Sequence, residues 1–298
     1  MENQTNFRSG FVTIWGRPNV GKSTLMNELV GERISIITNK SQTTRHRIMG
    51  IVNTDDYQIV FSDTPGVLKP LYKLQESMRK FSESALVDAD VMLYITDIYE
   101  TPDKNEDFLQ KVAKLSSPIL LIINKIDLTN QEKLTTIVQT WEQRLPHAEI
   151  IPCSALTKFN VQYILKRIVE LLPIGPPYYD KDALTDKPLR FFVSEIIREK
   201  ILLYYQKEIP YSTEVVIEEY KEEPTRDIIR AVILVNRDSQ RGIVIGNKGA
   251  AIKKLGIESR LEIEKFVQKK VHLELFVKVS KDWRDNESLL KQFGYNIL

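Results

Sequence analysis

The sequence predicts an α/β domain, a mainly parallel sheet with helices on both faces, followed by a smaller α+β domain. Three observations carry that expectation. Through about residue 172, short apolar runs alternate with longer amphipathic segments. A proline-rich stretch then breaks the alternation. Beyond it a second pattern begins, in the order helix, strand, strand, helix, helix, strand. At 298 residues the chain can hold two domains, each with its own core. The boundaries read from composition are 1–174, a linker at 175–188, and 189–298.

The strands of the first part are "FVTIW", "YQIVFSD", "VMLYITD", "PILLIINK" and "AEIIPCS". Their continuous apolar character suits strands buried on both faces. All are far shorter than the roughly 20 residues that span a bilayer. The polar start "MENQTNFRSG" lacks the apolar core of a signal peptide, so neither a membrane span nor secretion is expected. The linker is "LLPIGPPYYDKDALTDKP". Next comes a helix, "LRFFVSEIIREKILLYYQ", with Phe192, Ile196 and Leu203 expected on one face. The strands "TEVVIEEYKEE" and "DIIRAVILVNRD" follow, joined by a turn at Pro224. A short segment ending in "GNKG", a helix from about Ala250 to Gln268 and the strand "VHLELFVKVS" complete the pattern.

A net charge of +2 points to no class of partner, so the placement of charges has to decide. The single cysteine, Cys153, excludes an internal disulfide or a multi-cysteine metal site and reads as a small buried residue at a strand end. His46, His147 and His272 lie far apart and in no metal-ligand spacing, and read as structural or surface residues.

"GRPNVGKST" comprises Gly16, Arg17, Pro18, Asn19, Val20, Gly21, Lys22, Ser23 and Thr24, between a strand and a helix. That spacing and context fit a phosphate-binding loop, whose backbone N–H groups face phosphate at a helix N-terminus. Lys22 is expected to reach the β and γ phosphates, and Ser23 to ligate Mg²⁺. "DTPG", Asp63, Thr64, Pro65 and Gly66, ends another strand; there a carboxylate can orient Mg²⁺ through water and the Gly66 N–H can sense a γ-phosphate. "NKID", Asn124, Lys125, Ile126 and Asp127, ends a third. Asp127 can accept from guanine N1–H and the 2-amino group, Lys125 can pack over the base, and Asn124 can tie this loop to the phosphate loop. Ser154 and Ala155 follow the last strand and are expected to direct a backbone N–H at guanine O6. All four motifs sit at the carboxyl ends of strands, where such sheets gather ligands.

Together these motifs resemble the translation-factor-related branch of small GTPases, over residues of about 8 to 174. "SQTTRHR" resembles that branch's first switch, with Thr44 as a Mg²⁺ ligand and Thr43 as the alternative. The second switch is expected from Asp63 to about Lys80. Where Ras-like enzymes carry a water-orienting glutamine, this chain has Val67, which cannot position water. Slow hydrolysis is therefore expected unless another group, a cation or a partner assists. Asn19 matches the asparagine that holds K⁺ in related cation-dependent GTPases; its alternative role is a loop-shaping hydrogen bond. Asn19, Lys22 and Thr44 are the expected catalytic set.

In the second part, "VIGNKGAAIKKLG" resembles the GXXG clamp of a KH domain, and the element order is that of the type II arrangement. The expected RNA-binding residues are Arg241, Ile245, Gly246, Asn247, Lys248, Gly249, Ile252, Lys253 and Lys254. Residues 239–278 hold nine Lys or Arg against four acidic residues, a local net of +5, which favours phosphate contact. With its ending "SKDWRDNESLLKQFGY", the chain is similar to the Era family along essentially its whole length. The resemblance implies a cytoplasmic, monomeric GTPase using GTP or GDP with Mg²⁺. It further implies binding near the 3′ end of small-subunit ribosomal RNA, assistance to 30S assembly, and peripheral membrane association.

Overall fold

The computed structural model describes residues 6–66, 69–101 and 106–295. The chain divides into two compact units that are not contiguous in sequence. One comprises the residues up to Ser35, Thr44–Lys69 and Met78–Asp186, and the other Ile36–Thr43, Pro70–Ser77 and the residues from Lys187 onward.

The elements of the first part are β1 (Arg8–Gly16), α1 (Lys22–Val30), β2 (Ile48–Asn53), β3 (Tyr57–Asp63), α2 (Lys73–Val87) and β4 (Val91–Asp97). They continue with α3 (Glu106–Ala113), β5 (Ile119–Asn124), α4 (Gln131–Arg144), β6 (Glu149–Pro152) and α5 (Val161–Leu171). The sheet runs β2-β3-β1-β4-β5-β6, with β2 antiparallel to β3 and the other pairs parallel. Every residue of β4 and β5 is buried, as expected for strands covered on both faces. On one face Trp15, Tyr94 and Trp141 follow one another, with ring centroids 6.2 and 5.8 Å apart, and Leu109, Val112 and Leu145 close around them.

β2 was not among the five expected strands. A glycine interrupts its six residues, and it pairs antiparallel at the sheet edge, so it lacks the long apolar run of its neighbours. The stretch read as a linker covers that edge. Ile51 N–H donates to the Leu184 carbonyl (2.9 Å), Met49 N–H to Asp186 Oδ1 (2.9 Å), and Asn53 Nδ2 to the Ala183 carbonyl (2.8 Å). Gln58 accepts from Tyr178 N–H (2.7 Å) and Tyr179 N–H (3.0 Å). Residues 176–186 therefore complete the hydrogen bonding of an otherwise open edge, a need that composition does not reveal.

The second part contains α6 (Leu189–Tyr204), α7 (Ile209–Ser212), β7 (Thr213–Glu222), β8 (Arg226–Val235), α8 (Asp238–Ile245), α9 (Ala250–Val267), β9 (Lys270–Val279) and α10 (Glu287–Gln292). β8 is central, antiparallel to β7 and parallel to β9. α6, α8 and α9 bury Val193, Ile197, Ile201, Val244, Leu255 and Ile263 against Ile229, Ala231 and Ile233 of the sheet. Phe192 and Ile196 are buried as expected, but Leu203 is 45 % exposed. It lies in the last turn of α6, where Ile201 and Leu202 take the core positions instead. The chain's ending is anchored to this unit: Trp283 is buried with Nε1 donating to the Ser212 carbonyl (3.0 Å), and Tyr295 donates to Glu214 (2.8 Å).

Among the described residues, no helix is long and apolar enough to cross a membrane. Cys153 is fully buried just beyond β6, and burial pushes its thiol up to about 12. The native protein should therefore resist an anionic aromatic disulfide reagent at pH 8 and react only as it unfolds. Prompt reaction of one thiol per native chain would contradict this placement.

Candidate functional site

The site is assembled at the carboxyl ends of β1, β3, β4, β5 and β6. β1 ends at Gly16 and α1 begins at Lys22, so Arg17 to Gly21 form the connecting loop. Gly21 takes φ 99°, and a Cβ there would lie 2.2 Å from Asn124 Nδ2, so only glycine admits the neighbouring loop. Asn124 is 3 % exposed and uses both ends of its amide: Nδ2 donates to the Val20 carbonyl (2.8 Å) and Oδ1 accepts from Ala155 N–H (3.0 Å). Three of the four sequence motifs thus meet on one side chain.

Lys125 Nζ donates to the Asn19 carbonyl (2.5 Å) and to Asp97 Oδ2 (2.7 Å), so it too ties the β5 loop to the phosphate loop. Its stem is available to cover a base while its charge is paired. Asp127 is exposed, with Ser154 Oγ donating to one of its oxygens (2.6 Å). Ile126 N–H donates to the Cys153 carbonyl, which braces the same loop (3.3 Å). The expectation for Ser154 and Ala155 needs amendment. Ser154 N–H donates to the Phe159 carbonyl (3.2 Å) and Ala155 N–H to Asn124, so either must be shared to reach guanine O6.

Lys22 is buried, and its ammonium donates to the Arg17 carbonyl across the loop (2.8 Å). Burial lowers its pKa to about 8, against the opposing pull of Asp63 and Glu100. A phosphate here would meet a cation that water does not screen. Ser23, Thr44 and Asp63 converge: Ser23 Oγ donates to Asp63 Oδ2 (2.7 Å) and lies 2.9 Å from Thr44 Oγ1, which is 3.4 Å from the same carboxylate oxygen. Asp63 is fully buried, burial raises its pKa, and Oδ1 has no hydrogen-bond partner among the described residues. Two hydroxyls and a buried carboxylate with an unused oxygen form a hard-oxygen set that fits Mg²⁺. Thr43, the alternative ligand, instead donates to the Lys40 carbonyl (2.7 Å). No group of three or more His, Cys, Asp or Glu among the described residues could hold a metal, so an ion here depends on these hydroxyls and on phosphate oxygens.

Thr64 Oγ1 donates to the Ile14 carbonyl (2.8 Å), and the Pro65 carbonyl accepts from Ser82 (2.8 Å), fixing the loop after β3. Gly66 passes close to Pro18 of the phosphate loop. Val67 lies outside the described residues. Asp97, the last residue of β4, and Glu100 just beyond it were not among the expected site residues. Asp97 holds Lys125, and Glu100 accepts from Thr96 (3.0 Å) in a pocket whose burial raises its carboxyl to about 7. The available signal was that "VMLYITD" ends on an aspartate, as "YQIVFSD" does.

In the second unit, "GNKG" links α8 to α9 in a tight turn. Gly246 takes φ 74°, and a Cβ would come within 2.6 Å of Ala251 Cβ, so the two helices can approach only over glycine. Asn247 and Lys248 project from the turn and are exposed, as are Arg241 and Lys253. Ile245, Gly249 and Ile252 are half-buried beside it. Lys254 is exposed with its ammonium 4.8 Å from the centre of the Tyr204 ring, so an α6 aromatic holds one of the expected RNA-binding cations. The arrangement is a cationic turn on an apolar base, able to take a nucleic-acid backbone.

The sequence matches the family described as 50S ribosome-binding GTPase over residues 11–125 and a KH domain over residues 208–284. It is 45 % identical to the GTPase Era of Geotalea daltonii, over 98 % of this chain and 99 % of that one. A chloroplastic ERA-like GTPase of Oryza sativa is 46 % identical over 97 % of this chain and 70 % of its own length. The structure is similar to that of an Aquifex aeolicus Era variant bound to GDP·AlF4⁻, with a TM-score of 0.94, 38 % identity, and coverage of 98 % of this chain and all of that one. An Era complex with MgGDPNP and nucleotides 1506–1542 of 16S ribosomal RNA matches with the same score, identity and coverage.

Asn124→Ala should strand the Val20 carbonyl and the Ala155 N–H, lowering stability by about 2–4 kcal/mol. Guanidinium unfolding measures the loss; a cost below about 0.5 kcal/mol would show that the strand-end loops do not depend on this amide.

Proposed function

The chain belongs to the Era family of GTPases, and within that family we propose how its residues act and what the switch serves. It is a GTPase that binds guanine nucleotide with Mg²⁺ and binds small-subunit ribosomal RNA. The proposed purpose is assistance to 30S assembly. Binding near the RNA's 3′ end, cytoplasmic location as a monomer, and peripheral association with the inner membrane surface belong to the same proposal.

In this reading the phosphate loop, Gly16 to Thr24, wraps the phosphates with backbone N–H groups and Lys22 leaves the Arg17 carbonyl to meet the β and γ phosphates. Asp127 accepts from guanine while Lys125 and Asn124 hold its loop. Ser23 and Thr44 ligate Mg²⁺, and Asp63 orients it. When bound, the ion would help neutralise the charge of the phosphates. Thr44 and Gly66 are where a γ-phosphate is sensed. The observation that carries the reading is the convergence of Ser23 and Thr44 on the buried Asp63 carboxylate, whose second oxygen is unused.

Valine at position 67 supplies no water-positioning amide, so intrinsic hydrolysis is slow. Asn19, in the left-handed region at φ 66°, is proposed to help hold K⁺ at the phosphates, which would supply part of the missing stabilisation. Arg241, Ile245, Gly246, Asn247, Lys248, Gly249, Ile252, Lys253 and Lys254 are proposed to clamp single-stranded RNA.

Lys22→Ala should weaken GTP binding by about 10- to 100-fold, the value of a charge-assisted contact, while RNA binding persists. Turnover should be faster in K⁺ than in Na⁺, and equal rates would remove the cation role from Asn19. RNA affinity measured with GDPNP should exceed that with GDP by about tenfold. Identical affinities would end the switch proposal, since a nucleotide without differential effect shifts nothing.

A further inference from the structure

The segment Ile36–Thr43, which runs into the stretch expected as the first switch, is part of the second unit. Its contacts there fall on α6. Ile37 N–H donates to Glu199 (3.2 Å), and the Arg198 guanidinium donates to the carbonyls of Gln42 (3.3 Å) and Thr43. Arg198 is buried and also held by Glu195 (2.5 and 2.7 Å), so its position is set before the segment arrives. Lys40 donates to the carbonyls of Leu202 and Tyr205, the latter at 2.5 Å, and so places a cation on the negative end of the helix.

The same turn of α6 touches both sides of the RNA clamp. Tyr205 donates its hydroxyl to the Val244 carbonyl in α8, two residues before Gly246 (2.8 Å). Tyr204 carries Lys254 of α9 on its ring. Lys40 thus grips the backbone on either side of the two tyrosines that brace the helices flanking "GNKG". In this arrangement Thr44, the next residue after the segment, stands beside Ser23 and Asp63.

We propose that the end of α6 and the residue that caps it, Leu202–Tyr205, form a relay: Lys40, next to the first switch, holds it, and through Tyr205 and Tyr204 it sets the clamp for RNA. The proposal rests on the GTP-switch reading. With Thr44 beside Ser23, as here, the preceding segment and Lys40 with it stay on α6, and bound nucleotide with Mg²⁺ would favour that state. Release of Thr44 frees Lys40, leaves two helix-end carbonyls without their cation, and loosens the turn that carries both tyrosines. Lys40 and Tyr205 are positioning residues, since neither needs to touch nucleotide or RNA.

The test uses the full chain and a labelled RNA corresponding to nucleotides 1506–1542 of 16S ribosomal RNA, with Kd measured in GDPNP and in GDP. The wild-type ratio should be about tenfold. Lys40→Ala and Tyr205→Phe should each cut it to about threefold or less, and the double variant should lose no more than the larger single loss, because both break one chain of contacts. Nucleotide affinities should stay within about twofold of wild type, and Lys40→Arg should restore the ratio. A preserved ratio in both folded single variants would overturn the relay. So would equal weakening of RNA binding in both nucleotide states, the mark of a purely structural role. A wild-type ratio of one would instead overturn the switch reading itself, before any variant is compared.

Discussion

The buried amide of Asn124 is the contact on which the nucleotide site depends. A primary amide offers a donor and an acceptor on one rigid plane, and here each is used on a different loop: the Val20 carbonyl on one side and the Ala155 N–H on the other. Strand ends are otherwise free to diverge, because the sheet's hydrogen bonds stop where the loops begin. Burial makes the bridge strict, since a buried polar group that loses its partner pays the full desolvation cost. Lys125 repeats the connection at the rim through Asn19 and Asp97, tying the base side of the site to its phosphate side.

The charges at the site follow the same logic of burial. Lys22 and Asp63 are both removed from water, and burial pushes each towards its neutral form. Their groups are held in waiting by weak local partners: a carbonyl for the lysine, hydroxyls for the carboxylate. Anionic phosphate and a divalent cation answer both needs at once, which is why the two ligands are suited to arrive together. Thr44 belongs to this centre by its side chain, while the segment just before it belongs to the RNA-binding unit.

Much of this was legible in the chain. The phosphate loop, "DTPG", "NKID" and Ser154-Ala155 are local patterns, and their placement after apolar runs already implied a shared pocket. The GXXG turn was legible for the same reason, because close helix approach demands glycine at fixed positions. Other features were hidden. β2 is a run of six residues split by Gly50, too short and broken to stand out as a strand until it pairs antiparallel with β3. Residues 176–186 look like a linker because they are rich in proline and polar groups, yet those groups are what an open sheet edge requires. Asp97 and Glu100 gave no motif, and no local pattern marked Arg198 or Lys40.

The sequence by itself determined the two folds, the nucleotide motifs and the RNA turn, because each depends on residues within one element or at one strand end. Tertiary structure decided which threonine stands at the carboxylate, which backbone N–H groups are already engaged around the base site, and that the residues just before Thr44 pack with α6. Those outcomes depend on hydrogen bonds between residues separated by up to about 160 positions, such as Arg198 with Thr43. A buried donor pairs with whichever carbonyl the packing brings to it, and no local pattern records that choice.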